Sequence, residues 1–207
     1  MGAVVAIDAL LQERRVWKGR PFAPVPGAQP TGHAALDAAL PGGGWPQAAL
    51  SELLLPCDGI GELRLLWPTL ARLSQAGGRI VLVAPPYLPY APAWQAAGID
   101  LRRLLVAGGA ATAPRDALWA AEQCLRSGSC AALLCWPLQA DDRALRRLQV
   151  AAEAGAALAF ATRPLAAARN PSPAALRIAI DAQPAQLRVL KCRGGLAPVR
   201  PIPWVVD

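Results

Sequence analysis

A chain of 207 residues, 54% of them hydrophobic, has room for one α/β domain with small appendages and a sizeable core, and too little for two full domains. Every long apolar run is broken by Pro, Arg, Asp or Glu well short of the roughly 20 residues that span a bilayer, and the start MGAVVAIDALLQERR lacks the basic-then-apolar order of a signal peptide. A cytoplasmic protein without membrane contact is therefore expected. The 21 basic against 14 acidic side chains leave a charge of +7, which favours acidic partners such as nucleic acid or an acidic protein surface.

Cys57, Cys124, Cys130, Cys135 and Cys192 are odd in number and contain no C-x-x-C pair, so they read as small packed side chains in a reducing compartment. The only histidine, His33, has no clustered partners for a metal and reads as a loop or cap residue.

Taken in order, residues 4–18 carry a short helical pattern, with Leu10, Leu11 and Trp17 near one face and Glu13, Arg14 and Arg15 on the other. Residues 22–30 hold Pro24, Pro26, Gly27 and Pro30 and read as an extended linker. Residues 1–30 thus form a helix and proline-rich linker ahead of a domain over 31–207. The helix either folds back on that domain or is held out for a partner. A short helix over 34–40 leads through the turn Gly42, Gly43, Gly44 to a strand over 50–55. The helix at 62–75 places Leu63, Leu66, Trp67, Leu70 and Leu73 on one buried face and ends at Gly77 and Gly78. A strand over 79–84 and a turn over 85–89 follow, with Tyr87, Tyr90 and Trp94 expected to pack on a helix at 91–97.

Next come a strand over 104–107, a helix over 114–127 and a strand over 130–136. Asp141 reads as the N-cap, and Asp142 as the first-turn acid, of another helix. A strand over 157–162, a basic loop over 163–172 and strand-like pieces over 176–181 and 186–191 complete the chain. Strand and helix alternating four times predict a doubly wound α/β core with a mainly parallel sheet, and the last pieces an antiparallel extension of it.

The turn after the 50–55 strand stands where a phosphate-binding loop would lie. Such a loop reads G-x-x-x-x-G-K-[ST], because backbone N–H groups wrap the phosphates, a lysine reaches their charge and a hydroxyl holds magnesium. Here the register is Pro56, Cys57, Asp58, Gly59, Ile60, Gly61, Glu62, Leu63. Proline removes a donor, Glu62 inverts the lysine's charge and Leu63 offers no oxygen. The strand over 130–136 should end in a magnesium-binding aspartate and ends instead in Cys135 and Trp136, followed by Pro137. These substitutions read as a nucleotide-binding scaffold that has lost its nucleotide, with no cofactor, metal or catalytic residue.

The run TGHAALDAALPGGGWPQAALSELLLP resembles the stretch that leads into the core of the RecA recombinase. From Thr31 to Trp204 the chain resembles more closely the ImuA family of RecA-like, SulA-related proteins, on Gly32, Leu36, Asp37, Leu40, Gly43, Gly44, Pro46 and the closing LRVLKCRGGLAPVRP. That resemblance implies a RecA-like fold and a non-catalytic adaptor role in SOS-induced translesion synthesis, beside the Y-family-like ImuB, indirectly an error-prone replicative-type polymerase, and RecA. RecA's two DNA-binding loops fall on the short segments 137–142 and 163–172. Arg163, Arg169 and Arg177 are then either weak, salt-sensitive phosphate contacts or arginines on a solvated face. Lys191 and Arg193 either resemble the basic pair with which RecA reaches its neighbour's ATP, which implies docking on a RecA filament end, or are an ordinary pair of surface cations. The alternatives are a SulA-type cell-division inhibitor binding FtsZ, although SulA proteins are usually shorter, and a divergent DNA-dependent ATPase.

Overall fold

The structure, a computed structural model, describes residues 28–204. The helix expected over 4–18, most of the linker, and Val205 and Val206 lie outside the described residues. Within them, the apolar run becomes strand β1 (Ala49–Leu55), in which every residue is buried. A strand covered on both faces needs no alternation of polar and apolar side chains. Helix α1 (Ala34–Ala39) precedes it, and α2 (Glu62–Gln75), β2 (Ile80–Val83), α3 (Ala91–Ala96), β3 (Leu104–Ala107), α4 (Pro114–Arg126), β4 (Ala132–Cys135) and α5 (Asp142–Ala154) follow. The chain closes with β5 (Leu158–Pro164), β6 (Leu176–Ala182), β7 (Ala185–Cys192) and β8 (Ile202–Pro203).

All eight strands join one sheet in the order β3-β2-β4-β5-β1-β6-β7-β8. Strands β1 to β6 are parallel, and β7 and β8 run antiparallel to their neighbours. The expected mixed α/β architecture with an antiparallel C-terminal extension is what the chain forms. One face of the sheet is covered by α1, α2 and α3 around Trp45, Leu53, Leu66 and Phe160, with Trp45 edge-on to Phe160 at 5.1 Å. The other is covered by α4 and α5 around Leu50, Leu133 and Leu148.

Several local expectations change. The buried stripe of α2 consists of Glu62, Leu65, Leu66, Thr69, Leu70 and Ser74, while Leu63, Trp67 and Leu73 are only half-buried. Thr69 and Ser74 take interior positions there because they have partners. The Thr69 hydroxyl accepts from Trp45 Nε1 at 3.0 Å and donates to the Pro30 carbonyl at 3.0 Å, and Ser74 Oγ donates to Ala71 O and accepts from Asp100 N. Strand β5 runs on through Arg163, which the sequence places in a loop, because β1 supplies it with partners as far as Leu55 opposite Pro164. A 3-10 turn, Leu165–Arg169, follows it. Trp94 packs into the core, but Tyr87 and Tyr90 are 70% and 71% exposed. Cys130, Cys135 and Cys192 are buried and Cys124 half-buried, whereas Cys57 stands exposed on the loop after β1.

The Thr31-to-Asp37 stretch is tied together by its own side chains. Asp37 Oδ1 accepts from Thr31 N at 2.9 Å and Thr31 Oγ1 accepts from His33 N at 3.0 Å, with His33 at the N-cap of α1. Between them Gly32 has φ +87°, and a Cβ there would meet Pro68 Cβ at 2.3 Å. Gly32→Ala combines backbone strain with overpacking and is expected to cost about 1–3 kcal/mol. The measurement is the urea midpoint at unchanged m-value, and an unmoved midpoint would show that Gly32 and Pro68 separate freely.

Candidate functional site

An open α/β sheet takes ligands at the carboxyl ends of its strands. The loops after β1, β4 and β5 lie side by side at that edge. In the first, Pro56, Cys57, Asp58 and Gly59 are exposed. Gly61 adopts the left-handed conformation, φ 90° and ψ 11°, and caps α2 without a side-chain hydrogen bond. Glu62, the first residue of the helix, is 6% exposed, and its Oε2 has no hydrogen-bond partner among the described residues. Ile60 and Leu63 pack on the large apolar cluster beside Trp67 and Trp136. A helix start is ordinarily a receptor for anions. This one begins with an anion of its own, and the side chains on either side of Gly61 and Glu62 serve the core.

The end of β4 is equally unsuited to a cation. Cys135 Sγ lies 3.6 Å from the Phe160 carbonyl, which accepts from it, and burial pushes its thiol up to about 12. It is therefore neutral at ordinary pH. Asp141 caps α5 by accepting from Ala144 N at 2.7 Å, and Asp142 pairs with Arg146 at 3.7 Å. Both carboxylates take the helix-capping roles expected of them.

Sequence reasoning passed over Glu52, a lone acid inside the seven-residue buried run of β1. Its side chain is fully buried, with Oε1 at 2.7 Å from Arg163 Nη1 and Oε2 at 2.7 Å from Arg177 Nε. The two guanidiniums reach onward to backbone. Arg163 Nη2 donates to Ala140 O at 2.6 Å, Arg177 Nη2 to Ala167 O at 2.8 Å and Arg177 Nη1 to Asn170 O at 3.1 Å. One carboxylate thus holds the loops after β4 and β5 through two arginines on the strands flanking β1. The sequence reading of Arg163 and Arg177 as phosphate contacts or solvated cations is corrected: both are buried and paired to Glu52. Of the three, Arg169 alone is exposed.

Lys191 and Arg193 are not brought to this edge. Because β7 is antiparallel, with Cys192 opposite Leu176, they lie at the amino ends of the parallel strands. Both are exposed. Lys191 Nζ donates to Ser172 O at 2.7 Å, and Arg193 lies 3.4 Å from Glu153.

Glu52→Gln leaves two buried guanidiniums without a counter-charge and is expected to cost about 3–5 kcal/mol in chemical denaturation. Glu52→Leu combined with Arg163→Met and Arg177→Met removes all three charges together and should recover most of that loss. A triple variant as unstable as the single one would show that charge pairing is not what the network supplies.

No protein-family model matches this chain, and no curated protein matches it. Among solved structures, it is similar to the crystal structure of SulA from Pseudomonas aeruginosa, at 30% identity over 57% of this chain and 99% of that chain, with a TM-score of 0.47.

Proposed function

We propose that this chain is a non-hydrolysing, RecA-like adaptor of an SOS-induced translesion complex, holding an ImuB-like protein and RecA. The supporting observation is the buried Glu62 at the seat of the phosphate loop, with Leu63 turned to the core beside it. A polyphosphate entering there would meet a carboxylate where it needs a cation, in a setting of reduced dielectric that sharpens the repulsion.

The carboxyl edge offers contact chemistry of another kind. In the turn after β2, Tyr87, Leu88 and Tyr90 are 70%, 92% and 71% exposed, and Leu138 after β4 is 50% exposed. Pro85, Pro86 and Pro89 punctuate the first of these turns. Exposed aromatic side chains on a stiff backbone give up little entropy on docking, which suits a protein partner.

Isothermal titration calorimetry with ATP and magnesium is expected to give no heat of specific binding, and a micromolar Kd would overturn the account of Glu62. A parallel pull-down with ImuB, RecA and FtsZ is expected to retain the first two. Lys191→Ala with Arg193→Ala should weaken retention of ATP-loaded RecA, if those cations reach the nucleotide of a neighbouring subunit. Equal retention by the double variant would remove them from the interface, and retention of FtsZ alone would favour the division-inhibitor reading.

A further inference from the structure

The two edges of the sheet differ in charge. The carboxyl edge is mixed, with Asp58, Asp116, Asp141, Asp142 and Asp181 beside Arg64, Arg115, Arg143 and Arg169 at or near helix starts and strand ends. The amino edge carries Arg79, Arg102, Arg103, Arg126, Lys191 and Arg193. Among the described residues the acids near it are paired: Asp100 with Arg102 at 3.0 Å, Glu122 with Arg126 at 3.2 Å and Glu153 with Arg193 at 3.4 Å.

Towards the β3 end of this edge lies an open hollow of 390 Å³, lined by Gly77, Gly78, Arg79, Arg103, Gly128 and Ser129 among others, with no acid in its wall. Arg79 and Arg103 are exposed, and among the described residues neither forms an ion pair or a side-chain hydrogen bond. Helices α2, α4 and α5 end beside the hollow, so their carbonyl ends would oppose an anion. Those carbonyls are occupied. Gly78 N donates to Leu73 O, Ser127 N to Gln123 O and Gly155 N to Ala151 O, and Ser127 Oγ donates to Cys124 O at 2.8 Å. The charge left open is that of the guanidiniums.

We infer that this amino edge binds the phosphate backbone of a nucleic acid, with Arg79 and Arg103 anchoring it at the β3 end. Guanidiniums beside side-chain-free backbone suit a phosphate. A protein partner would need large apolar anchors; the hollow has none, and Tyr87, Leu88 and Tyr90 project from the opposite edge. The surface is long enough for a strand. From β2, beside Arg79, to β7, which carries Lys191, the sheet order counts five strand steps, roughly 24 Å at about 4.8 Å each. Neither the lost nucleotide seat nor any protein partner enters this assignment.

Fluorescence anisotropy of the full chain with a labelled oligothymidylate and with a mixed-sequence duplex tests it. Binding should weaken steeply with salt, and Arg79→Glu with Arg103→Glu should lower affinity about tenfold or more and reduce the log–log salt slope by roughly one per arginine. Arg115→Glu, on the opposite edge, should leave binding unchanged. Arg79→Gln with Arg103→Gln, checked by thermal melting, decides the matter if charge reversal unfolds the chain. No binding by the unsubstituted protein at low salt, equal binding by the double variants, or an equal loss in Arg115→Glu overturns the assignment. Displacement of the oligonucleotide by polyglutamate at matched charge also overturns it, in favour of an acidic protein.

Discussion

A single carboxylate in the central strand holds this fold in register with its own loops. Glu52 has no access to water, and each of its oxygens meets a different arginine at 2.7 Å. Three charges inside a sheet are costly to desolvate, and the cost is offset only where the remaining donors find acceptors. Ala140, Ala167 and Asn170 supply them as backbone carbonyls. One donor, Arg163 Nε, stays without a partner among the described residues. On the same face the network separates the apolar packing around Leu50 from the small cluster of Leu54, Ala167 and Ala179. The loops after β4 and β5 are therefore anchored from the interior of the protein, as fixed features of the fold.

The loop after β1 is fixed by a different means. Its two flanking apolar residues, Ile60 and Leu63, are drawn into the core, and the helix start that follows carries its own negative charge in Glu62. The loop is therefore held by packing, and the carboxyl edge presents the projecting side chains Tyr87, Leu88, Tyr90 and Leu138.

The sequence was informative about alternation and composition, and less so about pairing. Strand β1, helix α2 and the parallel-then-antiparallel order are legible because buried strands and amphipathic helices leave periodic marks within a short window. The departure of the loop after β1 from a phosphate-loop pattern is legible because its residue types differ from that pattern at known spacings. Glu52 is not legible in this way. Its partners are 111 and 125 residues away, and an isolated acid in an apolar run carries no sign of which cations will meet it. Arg163 and Arg177 were read as open to solvent for the same reason: composition marks a loop as basic without showing where its side chains end. Tyr87 and Tyr90 are expected to pack on the helix at 91–97 because aromatic residues usually find cover, yet a turn rich in proline holds them outward.

An acid built into the polypeptide at the start of α2 is present in every copy at unit occupancy. ATP, by contrast, fills a site only as far as its concentration and affinity allow. On the proposed non-hydrolysing reading, whatever shape Glu62 stabilises would not follow the cell's ATP-to-ADP ratio, and control over when such a protein acts would come from its synthesis, its degradation or the arrival of its partners.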